Sequence, residues 1–199
     1  MITEERFVEI IKYNGEQPGV EFKCAGSMAD KPFVARVVRA MLGMSNRADG
    51  GLVIVGIDDD RNSIEPAGVP PDYMATWTFD ALSDIVAVYA DPMVRFQLQK
   101  LTHDNRGFVI LEVAKFDDVP VLCRKDYGDI LKEGALYVRS RRKPETVIVR
   151  SVQDLRDVLD LAVKNQLARF YSLTSAAGLS PVATLSDDEL FDAQISELD

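Results

Sequence analysis

Gly50-Gly51-Leu52-Val53-Ile54-Val55-Gly56-Ile57-Asp58-Asp59 carries the strongest structural signal in the chain. From Leu52 to Ile57 the run is apolar without alternation, the pattern of a strand buried on both faces. The glycines before it, with Asn46, suit a helix C-terminal turn that needs positive φ. Asp58–Asn62 reads as a solvated turn. Upstream, Gly19–Cys24 alternates, with Val20, Phe22 and Cys24 on one side and Glu21 and Lys23 on the other. Between these strands, Asp30 and Pro32 start a helix to about Ser45, whose Val34, Val37, Val38, Met41 and Leu42 face a sheet. Thr3 caps an earlier helix with Phe7, Ile10 and Ile11 on one face.

Downstream, Asp72–Ala90 holds a helix with Trp77, Leu82, Ile85, Val86 and Tyr89 inward. Val94–Leu101 and Phe108–Phe116 form an antiparallel hairpin across Thr102–Gly107. Val119–Arg124 and Ala135–Ser140 are further strands. Ser151 caps a long helix to about Tyr171, with Val152, Leu155, Leu159, Val163 and Leu167 on one side. Strands and helices mix without regular alternation, so the expected fold is α+β, a mixed sheet flanked by helices. The expected organisation is one domain over 1–172, followed by a linker and an acidic C-terminal segment over 173–199.

The chain has 199 residues, 47% of them hydrophobic, which excludes disorder for most of its length. No apolar run approaches the ~20 residues of a membrane helix, and the first residues lack the pattern of a signal peptide. Two cysteines, Cys24 and Cys123, without a CxxC, fit neither a disulfide framework nor a zinc site; Cys24 is expected in the core. The expected setting is a reduced cytoplasm. The net charge of −9, taken as a sum, opposes a nucleic-acid partner. Yet Ser186–Asp199 holds six acids and Asn62–Val94 five, neither block has a base, and the remaining 152 residues sum to +2. The overall sign therefore settles little. Arg139-Ser140-Arg141-Arg142-Lys143 with Arg150 sets five bases against Glu145. Such a run is either a solvated face or a track for phosphates. Arg36, Arg39, Arg124 and Lys125 are further candidates for the same surface.

The series Glu16, Gly19-Val20-Glu21-Phe22-Lys23, Asn46…Gly50-Gly51 leading into Gly56-Ile57-Asp58-Asp59, and Tyr137-Val138-Arg139 resembles the AlbA_2 domain of Schlafen-type proteins over roughly Glu16–Arg150. Ser45 replaces the usual alanine, and Arg47-Ala48-Asp49 replaces a shorter spacer. The resemblance is to a stand-alone, single-lobe form. It implies nucleic-acid binding, and in some members a metal-dependent endoribonuclease that cuts tRNA or rRNA. The family's catalytic acids map onto Glu16, Glu21 and either Asp58 or Asp59, with Asp58 preferred. These would hold Mg²⁺ or Mn²⁺, while Lys23 would stabilise charge on a phosphate oxygen. Arg139, Arg141, Arg142 and Lys143 would contact nucleic acid, RNA in preference to DNA. A homodimer would supply the two arms that larger relatives carry in one chain.

The same acids also have an ordinary explanation, as outward polar residues of a strand and a solvated turn. Three functions therefore stay open: a metal-dependent endoribonuclease, a non-catalytic DNA- or RNA-binding regulatory module, and a protein-interaction domain using the acidic tail. His103 in the hairpin loop offers no histidine-dependent relay. No G-x-x-x-x-G-K-[ST] is present, so P-loop nucleotide chemistry has no support.

Overall fold

The computed structural model describes residues 1–13, 17–60, 63–140 and 145–178, with only the backbone of 59, 60, 63 and 64, and the structural statements below concern these. Five helices and ten short strands are formed among them: α1 (Glu4–Lys12), β1 (Val20–Lys23), α2 (Lys31–Ser45), β2 (Gly51–Val55), β3 (Asp58–Asp60), β4 (Ser63–Glu65), α3 (Pro71–Thr76), α4 (Phe79–Tyr89), β5 (Ala90–Asp91), β6 (Phe96–His103), β7 (Arg106–Val113), β8 (Leu122–Cys123), β9 (Tyr137–Arg139), β10 (Thr146–Ile148) and α5 (Val152–Ala176). The main sheet has the order β1-β2-β7-β6, parallel between β1 and β2 and antiparallel elsewhere, so the fold is α+β with a mixed sheet. Small two-stranded ladders join β9 to β10, β3 to β4 and β5 to β8. Two compact units are formed: Met1–Ala162, and a second from Val163 onward, whose described part is the rest of α5 and its end at Gly178.

The two faces of the main sheet bury different clusters because strand side chains alternate. On one face Phe7 and Ile10 of α1 meet Val20, Phe22, Ile54, Phe108 and Ile110. On the other, α2 meets Val53, Val55, Val109 and Leu111. Ten residues of α2 from Phe33 to Met44, with Ser45, are buried, so this helix is enclosed well beyond its expected apolar stripe. Its start matches the sequence signals: the Asp30 carboxylate accepts from Phe33 N at 3.1 Å, and Pro32 occupies the first turn. The Thr3 hydroxyl caps α1 in the same way, accepting from Arg6 N. The β6–β7 hairpin closes through Asp104-Asn105, both with positive φ (49° and 59°), the backbone a two-residue turn demands.

Several expectations need correction. Asp58–Asn62 does not begin as a simple turn: β3 pairs antiparallel with β4, Asp58 opposite Glu65. The helix expected within Asp72–Ala90 is two helices. Trp77 adopts an extended ψ of 104°, its buried indole N–H donates to Gly26 O at 2.9 Å, and Thr78 caps α4 anew. The strands expected at Val119–Arg124 and Ala135–Ser140 contract to β8 and β9, while β10 had no clear signal. Cys24 is exposed, because β1 ends at Lys23, whose carbonyl accepts from Gly56 N and Ile57 N.

Candidate functional site

The parallel register sets Glu21 beside Val53 and Phe22 beside Ile54, so Phe22 enters the α1-side core and Glu21 lies on the α2 side of the sheet. An unpaired carboxylate there would be costly. Both of its oxygens are engaged. Oε1 pairs with the Lys23 ammonium, while Oε2 accepts from Arg139 Nη1 at 2.5 Å and from the Thr146 hydroxyl at 2.7 Å. Arg139 is buried, and its Nη2 donates to Val20 O at 3.0 Å. The β9–β10 hairpin is thereby fastened to β1 from both strands.

Arg47 lies beside this cluster. It donates from Nη1 to Pro18 O at 2.7 Å and from Nε to Gly50 O at 3.0 Å. Burial, then the nearby Arg139 charge, pull its pKa below the ordinary guanidinium value, with Asp49 opposing. Asn46 is a second buried connector. Its amide donates to Leu42 O, Val121 O and Tyr137 O at 3.2, 2.8 and 3.0 Å, and its oxygen accepts from Val121 N at 2.8 Å. Sequence reading gave Asn46 only a turn role. Glycine at 43 permits the close packing of α2 on β10, since a Cβ there would lie 2.6 Å from Thr146 Cγ2.

Of the residues named from the sequence, Glu21, Lys23 and Arg139 are brought into direct contact. Asp58 is exposed at the start of β3, which follows β2 just beyond the end of β1. Glu16, Arg141, Arg142 and Lys143 lie outside the described residues, as does the side chain of Asp59. Among the described residues, no three His, Cys, Asp or Glu side chains are grouped to hold a metal ion. Glu21, with one oxygen on an ammonium and the other on a guanidinium and a hydroxyl, does not offer a metal the open carboxylate it needs.

A cleft of about 780 Å³ opens on the outer side of α2 and β9. Among the described residues its cations are Arg39, Lys132 and Arg150, opposed by Asp129 and Asp154, with Ser140 and Ser151 on its wall. Arg39 lies over the Tyr137 ring, 5.6 Å from the centroid, and donates from Nη2 to Thr146 O at 2.7 Å. Its Nε is buried with no hydrogen-bond partner among the described residues. Arg39 and Arg150 were candidates by charge alone. Lys132 carried no signal, because it reaches the cleft through the irregular segment between β8 and β9.

A mixed sheet with α2 enclosed beneath a late hairpin, and an internal Glu–Lys–Arg cluster joining them, defines the class of domain. The chain belongs to the Schlafen AlbA_2 family, whose profile matches residues 16–147. The crystal structure of the DIP2311 protein from Corynebacterium diphtheriae is similar, at TM-score 0.50 and 16% identity over 75% of this chain. This chain spans 27% of the length of that one. The solution structure of the N-terminal domain of a RecG-related protein from Nitrosomonas europaea matches over 64% of this chain and 84% of its own, at TM-score 0.46 and 17% identity. No curated protein matches. Among the described residues, no helix is long and apolar enough to cross a membrane.

Proposed function

We propose that this chain binds nucleic acid, taking phosphates of the backbone into the cleft that carries Arg39, Lys132 and Arg150. The observation behind this reading is the convergence, among the described residues, of three cations from α2, the β8–β9 segment and the residues just before α5. Membership of the Schlafen AlbA_2 family supports the same ligand class. The bases Arg141, Arg142 and Lys143 follow Ser140 in the chain and would extend the track. RNA is the expected polymer, in keeping with the resemblance to the family's ribonucleases. Fluorescein-labelled tRNA titrated across a salt series tests the reading. Affinity should fall as salt rises, and Lys132→Glu with Arg150→Glu should weaken binding at least tenfold and flatten the salt slope by roughly one unit per lost contact. Binding indifferent to both salt and charge reversal would reject the cleft.

A second reading is a metal-dependent endoribonuclease using Glu16, Glu21 and Asp58 with Mg²⁺ or Mn²⁺. What favours it is that Asp58 follows β2 next to the end of β1, which holds Glu21 and Lys23. Glu16 would have to complete the set, and Glu21 would have to loosen from its present partners. Incubating tRNA with Mn²⁺ and, separately, Mg²⁺ tests it. Cleavage by the wild type that is lost in Asp58→Asn supports it, the exposed position avoiding the folding defect expected at Glu21. Intact tRNA with both metals rejects it.

A further inference from the structure

α5 carries a long apolar stripe that is exposed. Val152, Leu155, Leu159, Val163, Leu167, Phe170 and Leu173 recur at three- and four-residue spacing and are 42–67% exposed, whereas Val158 and Ala162 along one edge of the stripe are buried. One helix stripe of this length exposes several hundred Å², at or beyond the largest patch of an ordinary monomer, roughly 300–600 Å². Charge is segregated along the same helix. Asp154, Asp157 and Asp160 outnumber Arg156 in the first half, whereas Lys164 and Arg169 are the only charged residues from Val163 to Ala176.

We propose that α5 pairs with α5 of a second copy of this chain, antiparallel, about a twofold axis between residues 162 and 163. Antiparallel pairing sets the acidic half of each helix against the basic half of the other; parallel pairing would align like with like. The same register places Leu155 opposite the partner's Phe170 and Val152 opposite the partner's Leu173. Asp160 and Lys164 lie on one flank of the stripe, so each Asp160 comes beside the partner's Lys164. The acidic C-terminal segment fits the stripe less well, because it matches the charge of only the second half.

Sedimentation equilibrium of the full chain tests this, with circular dichroism to monitor the fold. The wild type should be a dimer at micromolar concentration. Leu159→Glu with Leu167→Glu should be monomeric with unchanged helix content, since both positions are exposed. Lys164→Glu should raise the dissociation constant about tenfold, and adding Asp160→Lys should restore it to within a fewfold of wild type. A wild type monomeric at 100 μM, including one that dimerises only when 186–199 is deleted, overturns the proposal. So does a dimer that survives the double glutamate variant, or a charge swap that restores nothing.

Discussion

Arg139 Nη1 donates to Glu21 Oε2 at 2.5 Å, joining residues 118 positions apart in the chain. The Arg139 side chain is 1% exposed and that of Glu21 10%, so solvent screens the pair little. The pair pins β9 to β1, and Thr146 binds the same oxygen from β10.

Removing one partner should therefore cost far more than a surface ion pair would. Arg139→Ala leaves a buried carboxylate with only Lys23 and Thr146 and should lower unfolding free energy by about 3 kcal/mol in urea denaturation. Glu21→Gln strands two cations and should cost a similar amount. Replacing both with Glu21→Leu and Arg139→Met should cost less than the sum of the single changes, because the buried guanidinium goes with the carboxylate and only the partly exposed Lys23 loses its partner. Additive losses would mean that the pair is not the fastener.

Gly43 makes a second test, because local and tertiary preferences oppose each other there. In a helix interior alanine is favoured over glycine by about 1 kcal/mol. At this position the new methyl would lie 2.6 Å from Thr146 Cγ2 and 2.9 Å from its Oγ1. Gly43→Ala should destabilise by about 1–3 kcal/mol in thermal or urea unfolding. Thr146→Ser, which removes Cγ2 and retains the hydroxyl on Glu21, should relieve part of that loss. A Gly43→Ala variant more stable than wild type would contradict this close approach.

The two thiols should differ sharply. Cys24 is exposed, whereas Cys123 is buried and donates from Sγ to Lys125 O at 3.3 Å. Burial chiefly pushes the Cys123 thiol, and likewise the Tyr89 and Tyr137 phenols, above their ordinary pKa values. Iodoacetamide at neutral pH should modify Cys24 in the native protein and Cys123 only after unfolding. Because the neutral forms are favoured when folded, their contribution to stability is fully present below the ordinary thiol and phenol values. It is lost as pH climbs through the raised ones. Unfolding midpoints should thus decline through the alkaline range, and rapid native labelling of both thiols would refute the burial.

Local elements were legible where the determinants sit within a few residues. Thr3 and Asp30 announced their helices through capping oxygens, and the β6–β7 hairpin through apolar runs on either side of a polar turn. Trp77 was correctly expected inside, but its indole N–H needs Gly26 O, 51 residues away, and that demand breaks the helix. Cys24 was misplaced for a related reason. Alternation continues past Lys23 on paper, while the strand stops where the Lys23 carbonyl turns to receive Gly56 and Ile57.

The candidate site shows the same division. The sequence alone determined the α+β class, the main helices and strands and the family resemblance, and it singled out Glu21, Lys23 and Arg139 as candidates for a nucleic-acid site without showing that they pair with one another. It also identified the regular stripe of α5, since periodicity is a property of consecutive residues. Only the tertiary structure decided what these residues meet: Glu21 is held by Lys23, Arg139 and Thr146, and the residues of the α5 stripe are exposed. Arg39, Lys132 and Arg150 likewise become neighbours only in the folded chain. The physical reason is that charge compensation and burial depend on groups far apart in sequence, whose approach is fixed by sheet register and helix packing.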